Sequence, residues 1–527
     1  MKREYRVQGS EYRLPILLTA LVGGGLLVRG LAIFQAPVIA NDVILYIKAA
    51  KLYASGSYSD ALRVCPFSLF PLLLPPFYKI FGDWVLAGQW VSSLCGALTI
   101  IPLYLLARRI FDVKIALWGT IFYIVCPPLV IFSAEILRDT PFILLYITAL
   151  WFGYSGIKDE KAGHAALAGI CIFLAVLIRK EGIPLFMILP LFLIWRVAKE
   201  KVSWIKAAQM LAFLLIPFFV IALFVGVLAP DILKLTPVSS ARLEEAMVSL
   251  ADSATIKEIG TEVEEKNLSL YGKNLFQLAK NYRFLLYFAD ILYKTIRAFS
   301  VPLFLLFLFG FIRRKKVRYK TDEFLLITIY TIFFVAFLIH LNKTNYFTAR
   351  YAFPLVVPSL IWSGVGFVEL KERIIRWMKP RDFLLKNYVV RWITPLLLLL
   401  ICVPLLAMAL APQRKDKLEL KEIGLWLKHN SYAHSIIVGQ NEFNRLAFYA
   451  EGEFAELSKG NYQNIIRFTR EKKARLLVIN QKTIGQLSPV FLEEISPRDL
   501  QRIDIPGIKT PKYATTVFLI KGAGERK

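Results

Sequence analysis

Four short stretches set ionisable side chains of both signs against long apolar runs. They are VIANDVILY (38–46) with Asp42; SAEILRD (133–139) with Glu135, Arg138 and Asp139; RKEG (179–182) with Arg179, Lys180 and Glu181; and HLNKTNYFTARY (340–351) with His340, Lys343 and Arg350. Charge is costly near a bilayer, so carboxylates and cations gathered at one depth mark a functional site by default. A carboxylate at a membrane surface can take a proton from an acceptor hydroxyl. Arg and Lys can hold a phosphate leaving group and neutralise the charge that develops on it. Together these describe group transfer from a lipid phosphate, and a single phosphate can be met by guanidinium and ammonium without a metal.

Each residue also has a purely structural role open to it. Asp42 suits the N-cap of a helix from Val43 to Ser55, and Asp139 suits the cap of a span opening at Thr140-Pro141. Arg179 and Lys180 can snorkel to the interface, and Arg350 can anchor there. His340 is a weak candidate metal ligand, with His164, His429 and His434 weaker still. One shared site explains all four clusters, whereas separate structural roles require a coincidence of depth.

The elements that must position these residues follow from the composition. A hydrophobic fraction of 56% over 527 residues and a mean hydropathy of +0.53 lie outside the soluble globular range. The chain reads as a polytopic α-helical membrane protein with about eleven spans, near 14–34, 84–107, 115–133, 140–156, 165–178, 183–195, 207–229, 299–312, 324–341, 353–369 and 392–411. The first apolar run is about 20 residues, long enough to span and longer than a secretory h-region, so it is read as a span and not a signal peptide. Five scattered cysteines give neither a disulfide framework nor a zinc spacing.

With a cytoplasmic N-terminus, the alternate segments 1–13, 108–114, 157–164, 196–206, 313–320 and 371–391 carry 26 Lys and Arg, while the short outer loops 134–139, 179–182 and 342–350 hold only Arg138, Arg179, Lys180, Lys343 and Arg350. That asymmetry fits the positive-inside rule and explains the net charge of +26 without nucleic acid. It places all four clusters, and the C-terminal region, on the outer side of the inner membrane. The predicted domains are a transmembrane unit, 1–411, with outside loops 35–83 and 230–298, and an extracytoplasmic α/β domain, 412–527. In the first outer loop the Val43–Ser55 helix looks interfacial, and the proline-broken 66–82 looks re-entrant or surface-lying. The second loop runs from an acidic half to a basic amphipathic helix suited to anionic membrane lipid. In 412–527, strand-like SIIVG, ARLLVIN and TTVFLIK alternate with helical stretches.

Asp42 followed by Tyr46, Ala50 and GSY (56–58), PLLLPPFYKIFG, YLLARRIFD, EILRDTPF (135–142), LAVLIRKEGIP (174–184) and ARYAFPLVVPSLIWSGVG (349–366) give a further expectation. In their order and sidedness these resemble the membrane type C glycosyltransferases, in particular the bacterial branch related to dolichyl-phosphate-mannose protein mannosyltransferases and to aminoarabinose transferase. The resemblance implies a glycosyltransferase of the cell envelope that takes a polyprenyl-phosphate-linked sugar and transfers it, with inversion, to a protein, lipid (lipopolysaccharide included) or glycan acceptor on the extracytoplasmic face. It maps the base onto Asp42 and brings Glu135, Arg138 and Asp139 into the site. Many relatives carry two adjacent acids in the first loop; this chain has one, in Asn41-Asp42-Val43. No cofactor is required on this reading, though a divalent metal is compatible with it. The alternative is a membrane transporter or a lipid or glycolipid flippase, which would carry paired repeats and midplane charges.

Overall fold

The computed structural model describes residues 13–66, 68–199, 201–228, 278, 281–313, 324–378, 383–457, 460–486, 488, 490–506 and 515–521. The acidic half of the second outer loop, its Lys273 and Lys280, and most of the basic run 313–320 lie outside the described residues. The chain divides into two compact units, Met1–Ile33 with Tyr46–Ala411, and Phe34–Leu45 with Pro412–Lys527.

The first unit is helical. Among the described residues, seven helices are long and apolar enough to cross a membrane, or nine when each of two bent pairs counts as one span. The other two apolar runs form the shorter helices Ala162–Ile178 and Trp204–Pro217, so the full set of eleven spans is not reached. The first bent pair, Val113–Val125 with Pro127–Ser133, turns by 56°. Its cause is local: Pro127 excludes the α conformation from the residue before it, and Cys126 is extended at φ −65°, ψ 111°. The second pair, Arg283–Phe299 with Val301–Arg313, turns by 106° at Ser300, whose φ is +67°.

Proline also governs 66–82, which forms a 3-10 turn, Phe70–Leu73, and a short helix, Leu74–Phe81, rather than a span. Pro75 and Pro76 stand in that helix's first turn, where the missing N–H has no intrahelical partner to lose. Glycine permits the closest crossing: a Cβ at Gly366 would stand 2.0 Å from the Leu306 carbonyl oxygen, so Val301–Arg313 and Phe353–Met378 touch backbone to backbone.

The helix expected over Val43–Ser55 runs Asn41–Ala54. Of the apolar positions 43, 47, 50 and 54 that give the sequence its interfacial face, Val43, Ile47 and Ala50 are buried and Ala54 is exposed, while Tyr46, Ala49 and Tyr53 are buried as well. Protein thus covers a wider face than an interfacial helix would bury, and only Leu45, Lys48, Lys51 and Ala54 stand open past Asn41.

The second unit is built on a five-stranded sheet of order β2-β1-β3-β5-β4, with β1 Ile436–Gly439, β2 Glu453–Glu456, β3 Leu476–Asn480, β4 Leu500–Ile503 and β5 Thr515–Ile520. β2, β1 and β3 run parallel, while β5 is antiparallel to β3 and to β4. The two-residue period of the strands divides the core. Val438, Leu477, Ile479 and Phe518 pack with Ile465 and Ile466 of the helix Tyr462–Glu471 on one face. Ile437, Leu476, Val478 and Val517 pack with Leu420, Ile423 and Leu446 on the other. Both faces are covered, as a partly parallel sheet requires.

Candidate functional site

The helix Asp139–Asp159 defines two ends about 30 Å apart, from its 21 residues at 1.5 Å rise. That length matches the hydrocarbon thickness of a bilayer. At its far end Asp159 accepts hydrogen bonds of 2.8 and 2.7 Å from Arg109, and Glu160 pairs with Lys206. At its near end stand Arg138 and Asp139.

Arg179 lies at the centre of the near-end cluster. The helix Ala162–Ile178 stops just before it, Arg179 turns extended at φ −155°, ψ 128°, and a 3-10 turn, Lys180–Gly182, follows. This break points the guanidinium inward, where it is 3% exposed. One Nη donates to Asp139 Oδ1. The other donates to Glu181 Oε1 at 3.0 Å, and Nε lies 3.0 Å from Glu181 Oε2. The flat face of the guanidinium lies 5.2 Å from the Tyr351 ring centroid and 5.9 Å from that of Phe142. Burial alone would lower the Arg179 pKa, but Asp139 and Glu181 more than offset it and hold the group above its ordinary value, firmly charged. A guanidinium so enclosed by two carboxylates is a brace for those carboxylates.

The cations around it differ in exposure. Arg138 and Arg350 are half-buried, while Lys180 and Lys343 are exposed. Arg138 acts electrostatically on Glu181, Lys180 and Lys343 act on His340, and Arg350 acts on Tyr351. His340 packs edge-on against Tyr351, ring centroids 5.1 Å apart, with Thr344 Oγ1 at 3.3 Å from its Nε2. The RKEG, SAEILRD and ARY stretches, three of the four picked from sequence, therefore come together. Glu135 is buried in the loop that leads to Arg138, and its carbonyl accepts the Leu137 N–H at 3.1 Å. Among the described residues no group of three His, Cys, Asp or Glu side chains is arranged to hold a metal ion.

Asp42 sits in the first turn of Asn41–Ala54, one residue inside the helix and not at its cap. A carboxylate there meets the positive end of the helix dipole. The half-buried Asp42 shares a helix face with Tyr46, four residues on. Tyr46 packs edge-on against Phe70 at 5.3 Å, and the neighbouring Leu69 N–H donates to the Leu177 carbonyl at 3.1 Å, two residues before Arg179.

Tyr351 was not singled out from sequence, although it directly follows Arg350. Its stacking on Arg179 is a contact between segments far apart in the chain, for which a single sequence carries no signal.

Residues 66–227 match the family model of dolichyl-phosphate-mannose-protein mannosyltransferase. No curated protein matches the chain in sequence. Among solved structures, the chain is similar to ArnT from Cupriavidus metallidurans bound to undecaprenyl phosphate, with 12% identity and a TM-score of 0.58 over 98% of this chain and 100% of that one. It is also similar to the Archaeoglobus fulgidus oligosaccharyltransferase tethered with an acceptor peptide containing the NVT sequon, with 13% identity and a TM-score of 0.58 over 89% of this chain and 69% of that one. AglB from the same organism, in complex with an inhibitory peptide and a dolichol-phosphate, gives 14% identity and a TM-score of 0.56 over 89% and 70%. The chain is a multi-pass membrane protein with the type C glycosyltransferase fold, and its residues 66–227 carry the sequence pattern of the dolichyl-phosphate-mannose-protein mannosyltransferases.

Proposed function

We propose that the protein is an inverting glycosyltransferase that moves a sugar from a polyprenyl-phosphate donor to a protein, lipid or glycan acceptor on the extracytoplasmic face of the inner membrane, with its N-terminus cytoplasmic and its C-terminal domain outside. The observation that carries this reading is the near-end cluster, where Arg179 braces Asp139 and Glu181 and four more accessible cations stand around it. Asp42 takes the proton from the acceptor hydroxyl as its oxygen attacks the anomeric carbon of the sugar. The new carbon–oxygen bond forms on the face opposite the breaking bond, which inverts that carbon. Polyprenyl phosphate leaves with the bonding electron pair, and Arg138, Lys180, Lys343 and Arg350 meet the charge it acquires. Glu135, Asp139 and Glu181 line the site; with Arg179 between the last two, their role is to fix the electrostatic frame. These cations supply the charge the leaving group needs without a metal.

The test is transfer of a radiolabelled sugar from polyprenyl phosphate in membranes holding Asp42→Asn protein. A fall in kcat of about 10²–10⁴-fold is expected for loss of a general base. Unimpaired transfer by a folded Asp42→Asn variant would overturn the base assignment, and donor movement across the bilayer without any transfer would favour a flippase.

A further inference from the structure

The segment 34–45, which delivers Asp42, clusters with the C-terminal unit although about 370 residues of chain separate the two. Its backbone is held there at four points between residues 35 and 39. The Gln413 N–H donates to the Gln35 carbonyl at 2.7 Å, Lys421 Nζ to the Pro37 carbonyl at 2.9 Å and Arg414 Nη1 to the Val38 carbonyl at 3.3 Å. The Ile39 N–H donates to the Tyr449 hydroxyl at 3.0 Å.

The clamp is built with some care. Val38 and Ile39 are 1% and 6% exposed, so their polar backbone atoms need partners, and those partners are the Arg414 and Tyr449 side chains of the same compact unit. Lys421 lies 5.6 Å from the Tyr449 ring centroid, so two of the clamping groups also hold each other. Arg414 adopts a left-handed φ of +51°, a conformation that costs free energy in a non-glycine residue and is found where the surroundings impose it. Burial raises the Tyr449 pKa, so the group stays a neutral phenol, whose oxygen lone pair accepts from the Ile39 N–H. Immediately after Ile39 the helix begins, Val43 N–H closing on the Ala40 carbonyl at 3.2 Å. The position of Asp42 is thus set three residues downstream of the last clamped amide.

We propose that Tyr449, Lys421 and Arg414 are positioning residues for the Asp42 carboxylate, so that the outer α/β domain acts as a jig for the first-loop acid. The inference rests on the reading of Asp42 as base. A general base works only within hydrogen-bond reach of its proton, and a displacement of about 1 Å can lower a rate on the order of 10²-fold. Loosening the clamp should therefore lower kcat while leaving the donor KM unchanged, because the cations that hold the lipid phosphate belong to other segments.

The experiment uses full-length protein in membranes or nanodiscs with radiolabelled donor, comparing Tyr449→Phe, Lys421→Met and the double variant with wild type. Hydrogen exchange of the peptide spanning 37–45 is followed in parallel. The double variant is expected to exchange faster there and to lose roughly 10–100-fold in kcat at unchanged donor KM, with Lys421→Arg restoring the rate. Lys428→Ala serves as the control in the same domain, since Lys428 pairs with Glu451 at 2.9 Å and does not touch the strap; wild-type kcat is expected for it. Loss of transfer in Asp42→Asn alongside wild-type kcat in clamp variants with faster exchange would overturn the inference alone. Unchanged exchange in the double variant would overturn it as well, and full transfer by Asp42→Asn would overturn both it and the base assignment.

Discussion

Arg179→Ala is the most informative single perturbation of the helical unit. The side chains of Arg179 and Asp139 are 3% and 2% exposed, and that of Glu181 is 16% exposed, so truncating the arginine strands two carboxylates. Breaking a buried pair by removing one partner costs about 3–5 kcal/mol. At 1.4 kcal/mol per factor of ten, the folding equilibrium should fall by roughly two to three and a half decades. Asp139 bears most of this, since Glu181 keeps some solvent and the nearby Arg138. Denaturant unfolding in mild detergent reads the loss directly. A companion variant separates stability from function: Arg179→Met with Asp139→Asn and Glu181→Gln removes all three charges together, and buried ion pairs replaced as a set are often close to neutral in stability. It should unfold near wild type yet transfer at least about 100-fold more slowly, because the field that orders the site has gone. A loss under about 1 kcal/mol in Arg179→Ala would refute the buried bracing, and wild-type transfer by the triple variant would refute its part in the reaction.

Three further outcomes are expected. Arg138→Gln, Lys343→Gln and Arg350→Gln should each raise the donor KM by about ten- to a hundredfold if the group meets the phosphate, since a hydrogen bond to a charged partner is worth about 1.5–3 kcal/mol; titration with the lipid-linked donor checks this, and an unchanged KM would remove that cation from the site. Gly366→Ala should unfold at markedly lower denaturant, because its Cβ would meet the Leu306 carbonyl oxygen at 2.0 Å, whereas Gly24→Ala, whose Cβ meets nothing within 4 Å, should leave the midpoint unchanged. Transfer should persist in excess chelator if the cations alone neutralise the leaving phosphate; loss restored by added divalent ion would show that a metal shares the task.

The parts of the structure legible in the sequence are those set by local pattern. Apolar length marks the spans, and short continuous apolar runs mark β1, β3 and β5, every one of which buries side chains on both faces; the bend at Cys126-Pro127 falls inside 115–133, which the sequence reads as one span. The strands β2 and β4 escaped because EFAE and LQRI each carry too few buried residues to show a period; in β4 only Leu500 is fully buried. For the candidate site, the residue types were legible and their pairings were not. Arg179, one of several cations the sequence offers for a phosphate, is enclosed by Asp139 and Glu181, partners that lie 40 and 2 residues away in the chain and that its residue type alone does not announce. Arg29 makes the same point within an apolar run: it is fully buried, donates to the Gly25 carbonyl at 3.1 Å and stands 4.9 Å from the Tyr123 ring centroid, a partner supplied by another helix.

A division of labour follows from these placements. At the helical end, the buried Arg179 guanidinium is paired with Asp139 and Glu181. The acid in the first outer loop has a different support, because its strap is fixed by side chains that lie some 370 residues later in the chain. On the proposed reading, changes to the C-terminal domain act through the segment that carries Asp42, whereas the cations proposed to meet the phosphate belong to other segments. Chimaeras exchanging the region from Pro412 onward should therefore change kcat but leave the donor KM within about twofold. A donor KM that follows the exchanged domain, by more than about tenfold, or 1.4 kcal/mol, would show instead that both ends of the site are held by the same support.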